Sequence, residues 1–174
     1  MIALDDYHRM IDAGVFAEDE HVELIEGVIV GSDPQSPEHA RVISRLQKLL
    51  RSIGDEWVVR TQLPLTLARS EPEPDLAICR QADEDAAPRH PTSVALVIEV
   101  ARDSLQLDRA KAALYAEAQI DEYWVVDVER QQIEVHREAR AGAYQQRSIA
   151  RAGDTLALPA LGLQLALGDI FPAH

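Results

Sequence analysis

The sequence predicts an α/β (α+β) fold: a mixed sheet flanked by helices, with a hairpin near the N-terminus and additional strands at the C-terminus. Three observations predict it. Apolar, β-rich runs recur at DLAIC (75–79), ALVIEVA (95–101) and YWVVDV (123–128), and such runs suit strands covered on both faces. Segments with helical periodicity at 36–52 and 107–118 are interspersed with them, and a sheet with helices laid on it buries both kinds of apolar surface. The length of 174 residues fits one domain over 1–174, large enough to enclose a core.

Residues 3–13 read as a short amphipathic helix with Leu4, Tyr7, Met10 and Ile11 as its buried set, stopped by Gly14. HVELIEGVIV (21–30) reads as a hairpin turning at Glu26-Gly27. Ser36-Pro37-Glu38 opens the next helix: a capping hydroxyl, a proline for the first turn and an acid suited to the positive end of the helix dipole. That helix runs to about Ser52, before Gly54, with Val42, Ile43, Leu46, Leu49 and Leu50 on one face and a basic stripe of Arg41, Arg45 and Lys48 on another. Residues 57–67 are extended and interrupted at Pro64, while 81–91 is polar and the one stretch whose order its composition does not support. The helix at 107–118 should bury Leu107, Ala110, Leu114 and Ala118. Strands at 133–136 and 144–150 form a meander turning near Gly142, and the Leu-rich segment 155–171, broken at Pro159 and Gly162, offers an interface for a homodimer.

Hydrophobic residues make up 47% of the chain and charged residues 27%, which is ordinary for a globular protein and argues against general disorder. No apolar run approaches the roughly 18–20 residues of a membrane helix, and Met1–Arg9 shows no basic-then-apolar leader. The single cysteine, Cys79, leaves no internal disulfide framework. Together these predict a cytoplasmic protein. The net charge is −13. Phosphate contacts supply much of the affinity for nucleic acid, so any such activity needs a local basic patch, a protein partner supplying basic surface, or metal ions among the carboxylates. There is no zinc ligand set, P-loop or serine-nucleophile motif. Tyr123 and Trp124 suit a core or interface better than base stacking.

Glu99 is the most informative residue, because an ionised carboxylate inside a buried strand is costly unless paired or metal-bound. Pairing with Arg102 or Arg109 explains it as well as a catalytic role does. Asp75 opens the strand DLAIC after Pro74, and alone it is an ordinary turn residue. If the two strands are neighbours, both acids meet at one point, where Mg²⁺ binds through one or two carboxylates and keeps several waters. The Val100 carbonyl would add a further oxygen. Asp108, Lys111 and Tyr115 follow at offsets of three and four on one helix face. From there Lys111 can orient a water and offset developing phosphorane charge; an ordinary Asp108–Lys111 surface pair accounts for the spacing too.

The strings ELIEGVIV, SPEHARVISRL, EPEPDLAI, LVIEV, DRAKAALYAEAQIDEYWVVD and IEVHR together resemble the Uma-two family of restriction endonucleases, which looks like a branch of the PD-(D/E)xK nuclease fold. The likeness spans roughly residues 21–137. It implies a restriction-endonuclease-like fold and a Mg²⁺-dependent endonuclease (Mn²⁺ substituting) that hydrolyses phosphodiester bonds of nucleic acid, DNA first. The family's strand Asp falls on Asp75, its EV carboxylate on Glu99, its helical lysine on Lys111, its hairpin Glu on Glu23 and its post-Ser-Pro His on His39. In the general fold the lysine lies two residues after the acid, a position held here by Ala101. Glu23 is then a third carboxylate or a group supporting the other two, while His39, Asp108 and Tyr115 are candidates for supporting or phosphate-contacting groups, with a local structural role equally open for His39. ARDSLQ stands where the family often continues with Ser-Pro-Ser. Two competing functions remain open: a catalytically inactive nuclease-fold interaction protein, and a metal-dependent hydrolase of a small phosphate ester.

Overall fold

A computed structural model describes residues 1–17, 20–31, 36–102 and 104–172. The first helix, α1 (Leu4–Asp12), leads into the hairpin β1 (Val22–Ile25) and β2 (Val28–Gly31), and then α2 (Pro37–Leu50). β3 (Trp57–Thr61), β4 (Leu76–Arg80), α3 (Gln81–Ala86), β5 (Leu96–Ala101), α4 (Leu105–Glu117) and β6 (Glu122–Asp127) follow. The chain continues through β7 (Gln132–Arg140), β8 (Ala143–Arg151), β9 (Thr155–Leu158), β10 (Leu163–Ala166) and α5 (Leu167–Ile170).

Six strands form the central sheet in the order β3-β4-β5-β6-β7-β8. All neighbours are antiparallel except β5 and β6. Parallel neighbours need a long crossover, and α4 supplies it. Side chains alternate between faces along a strand, so each central strand divides its residues between two cores. Leu76, Ile78, Ile98, Val100, Trp124 and Val126 meet α2 and the C-terminal segment. Ala77, Cys79, Val97, Ala101, Tyr123 and Val125 meet Tyr115 of α4, with Leu65 and Leu67. The mixed sheet with flanking helices is the architecture the sequence predicts. Among the described residues, no helix is long and apolar enough to cross a membrane.

The hairpin turns at Glu26-Gly27, with φ of 48° and 76°, the paired left-handed conformation that suits a two-residue turn. A Cβ on Gly27 would stand 3.1 Å from the Ile2 carbonyl oxygen, so this turn needs glycine for both reasons. The Ile2 N–H donates to the Gly27 carbonyl at 2.8 Å and the Tyr7 hydroxyl to the Val22 carbonyl at 2.9 Å. On the hairpin's other side, Glu71 exchanges backbone hydrogen bonds with Leu24. Its buried carboxylate lies 2.6 Å from His8 Nε2 and accepts from the Thr66 hydroxyl. The N-terminus and the 62–75 segment thereby clamp β1.

Four expectations change. In α1 only Tyr7 is fully buried, and Ile11 is 40% exposed, because the helix touches the body along one narrow line. The polar segment 81–91 opens as α3, held on the sheet edge by the contact of buried Arg60 with Glu84. In α4 the buried residues are Asp108, Lys111, Tyr115 and Ala116, while Leu107 is half exposed and Ala110 exposed. That helix turns its ionisable face inward. The apolar side chains of the C-terminal segment, Leu156, Leu158, Leu161, Leu165, Leu167, Ile170 and Phe171, are covered by this chain's own sheet and α2, which removes them as a ready-made dimer surface.

The Ser36 hydroxyl accepts the His39 N–H at 3.2 Å and caps α2. Replacing Ser36 by Ala should lower the unfolding free energy by about 1 kcal/mol, read from urea denaturation. No loss would mean that the cap does not hold this helix start.

Candidate active site

The site lies where β4 begins and β5 ends. The antiparallel register pairs Leu76 with Ile98, and one step further sets Asp75 opposite Glu99. The Asp75 N–H points to Glu99 Oε2 at 3.4 Å, and the Val100 N–H donates to Asp75 Oδ2 at 2.8 Å. His39, from the capped start of α2, brings Nε2 to 3.0 Å from the same oxygen, while its Nδ1 is buried with no hydrogen-bond partner among the described residues.

Above Glu99 lies α4. Lys111 reaches down from its second turn, with Nζ 3.1 Å from Glu99 Oε1 and 3.0 Å from Glu23 Oε2 of β1. The Tyr115 hydroxyl, one turn further on, donates to Glu99 Oε1 at 2.9 Å. Glu23 Oε1 also accepts the Glu73 N–H at 2.8 Å. Asp108 turns inward and accepts from the Ser104 hydroxyl at 2.5 Å. The side chains of Lys111, Glu99 and Glu23 are 7%, 6% and 11% exposed, so this is a buried cluster rather than a surface pair. Breaking such a cluster on one side costs about 3–5 kcal/mol. A cleft of about 880 Å³ opens onto it and includes Glu23, His39, Asp75, Glu99, Val100 and Lys111 in its wall.

The structure thus brings Glu23, His39, Asp75, Glu99, Asp108, Lys111 and Tyr115 to one place. It rules out the alternative partners for Glu99: Arg102 pairs with Glu38, and Arg109 with Glu134. It also rules out an exposed Asp108–Lys111 pair, since both side chains are buried and bonded elsewhere. Ala101, at the lysine position of the general nuclease pattern, shares the α4 face of β5 with Glu99. The ammonium of Lys111 enters the same space from the helix above.

The Uma2 family, described as "Putative restriction endonuclease", matches residues 4–168. The chain belongs to the Uma2 family. The crystal structure of "a putative nuclease belonging to DUF820" from Anabaena variabilis superposes with a TM-score of 0.81, covering 98% of each chain at 17% identity. At that identity the likeness speaks for the fold. No curated protein matches the chain.

Within this Uma2 chain the electrostatics follow from burial. Burial pushes the Glu99 carboxyl up from 4.5 to about 8; Lys111 pulls against this, and Asp75, Asp108 and Glu23 reinforce it. Burial alone would lower Lys111, but Glu99 and Glu23 outweigh it and hold the ammonium above its ordinary range. Asp108 is raised by burial, against the Ser104 hydrogen bond. Tyr115 is raised by burial and by Glu99, so it stays a hydrogen-bond donor. Among the described residues, no three His, Cys, Asp or Glu side chains form a ready-made metal centre. The adjoining carboxylates of Asp75 and Glu99 do fit a hard cation that keeps several waters, and the crowding of acids around Glu99 is what such a cation would relieve.

Glu73 and Ser104 were not singled out from the sequence. Glu73 had a signal: in EPEPD it stands two residues before Asp75, which in extended chain is the same side. Ser104 had none beyond its place before a helix.

Because Glu99 keeps its proton in the folded chain over a range where the unfolded chain has released it, its contribution to stability falls as pH rises from about 4.5 to about 8. Without added metal, the native protein should match Glu99→Gln below about pH 4.5 and become progressively less stable than it up to about pH 8. Thermal melts across that window test this; a gap that stays constant or reverses sign would refute it.

Proposed function

We propose that this chain is a Mg²⁺-dependent endonuclease, with Mn²⁺ able to substitute, that hydrolyses phosphodiester bonds of nucleic acid, DNA in the first instance. The observation that carries the reading is the buried lysine of α4 converging on Glu99 beside Asp75, in a chain of the Uma2 family. Asp75 and Glu99 would hold the metal, with the Val100 carbonyl as a further oxygen, and Glu23 would assist. When bound, the ion would polarise a phosphoryl oxygen and lower the pKa of a bound water.

The chain's own residues divide the remaining work. His39 Nε2 and the Val100 N–H hold Asp75 Oδ2, fixing the orientation of that carboxylate. Tyr115 holds Glu99 Oε1 by donation. Lys111 stays protonated between two carboxylates. Its role is therefore to orient the attacking water and to stabilise negative charge on the phosphorane, not to take up a proton. As the water adds to phosphorus it gives a proton to bulk solvent, and the bond to the leaving oxygen breaks as that oxygen takes one up from solvent, leaving a phosphomonoester and a free hydroxyl.

A second reading is a nuclease-fold interaction protein without catalysis. It is favoured by Lys111 being held by two carboxylates and by a net charge of −13. Calorimetric titration with Mg²⁺ and Mn²⁺ separates the two, since the second reading requires no binding by the folded protein.

Asp75→Asn and Lys111→Gln should each reduce Mg²⁺-dependent cleavage of plasmid and oligonucleotide substrates by at least about a hundredfold. Circular dichroism should show a folded protein for Asp75→Asn. Undiminished cleavage by both variants would sink the assignment.

A further inference from the structure

Beside the candidate active site lies a second cleft of about 600 Å³ whose wall carries Arg41, Arg45 and Arg102. Arg102, which follows β5 directly, also lines the active-site cleft, so the two concavities share a wall. We propose that the second cleft binds the phosphates of the nucleic-acid strand as it leaves the active site along α2. This rests on the nuclease reading and adds to it the path of the substrate.

Charge is the first argument. The chain has 17 basic residues against 30 acidic ones, yet three arginines converge in this hollow, opposed by Glu38 and Glu129. Arg41 and Arg45 lie one turn apart on the same side of α2, and Lys48, the third member of the sequence stripe, does not line the cleft. Arginine forks onto phosphate oxygens in pairs of hydrogen bonds, and such contacts fix register without reading sequence. The second argument is exposure. Arg102 Nε pairs with Glu38 Oε2 at 3.2 Å, with both side chains about half exposed (48% and 54%), and an exposed pair of this kind is worth little. Arg45 commits Nη1 to the Ile170 carbonyl at 3.1 Å, which anchors the guanidinium on the cleft wall with one of its five donors. Arg41 is exposed.

The test compares the native protein with Arg41→Glu and with the double variant Arg41→Gln/Arg102→Gln. Fluorescence anisotropy follows binding of a labelled single-stranded oligonucleotide and its duplex, without metal, over a series of salt concentrations. Turnover of bis(p-nitrophenyl) phosphate with Mg²⁺ or Mn²⁺ is measured in parallel. The double variant should flatten the plot of log affinity against log salt by about 0.7 per arginine on single strands or about 0.9 on duplex. Turnover of the small diester should be unchanged in Arg41→Glu, whose side chain lies outside the active-site cleft. A preference between the two nucleic acids identifies which form follows the cleft. Native salt slopes in both variants, or no binding by the native protein, would overturn the proposal; an acidic peptide competing where nucleic acid does not would do the same. Flattened slopes in a protein that turns over no diester would leave the binding cleft standing and remove the nuclease reading.

Discussion

One ammonium group ties three parts of this molecule together. Lys111 comes from the crossover helix, Glu99 from the centre of the sheet and Glu23 from the N-terminal hairpin. Each of the three would be expensive to bury alone. Together they make the hairpin and α4 approach the end of β5, and much else supports that approach. Tyr7, Glu71 and the Ile2 backbone clamp the hairpin, while Tyr115 of α4 packs on Tyr123 of β6, whose hydroxyl donates to the Asp108 carbonyl at 2.7 Å. The cluster balances imperfectly. More acids than bases surround Glu99, and burial leaves its carboxyl well above the ordinary range. A fold optimised for stability alone would have no reason to keep it there.

The strands and the meeting of Asp75 with Glu99 were legible in the sequence because both rest on short-range pattern: a charge interrupting an apolar run, and an acid at the head of another. The hairpin and the start of α2 were legible for the same reason, since turn and cap chemistry are local. The orientation of α4 was not. Counting apolar residues selects Leu107, Ala110, Leu114 and Ala118; Leu114 and Ala118 do pack, partly buried, against the core, but Leu107 and Ala110 face out while the helix buries Asp108, Lys111 and Tyr115. Hydrophobic periodicity assumes that the inward face is apolar, and it fails where the inward face carries the site.

The remaining misses have similar causes. α3 is a polar helix with no buried residue of its own, so its sequence carries no amphipathic stripe; Arg60, a residue 24 positions away from Glu84, helps to hold it. The C-terminal segment is apolar because it forms one side of the core, and an apolar run reads alike whether its partner is the same chain or another. The basic stripe on α2 was visible, but its division into two arginines that line a cleft and one lysine that does not depends on where β5 ends.

The bond between Lys111 and Glu23 spans 88 positions of the chain. During synthesis, the hairpin, α2 and both sheet carboxylates leave the ribosome before the helix that completes the cluster. No nascent chain that has not yet reached Lys111 can hold the arrangement, and contacts closed over such long loops form late. Whatever chemistry the site performs is therefore withheld, by topology alone, from chains that stop short of α4.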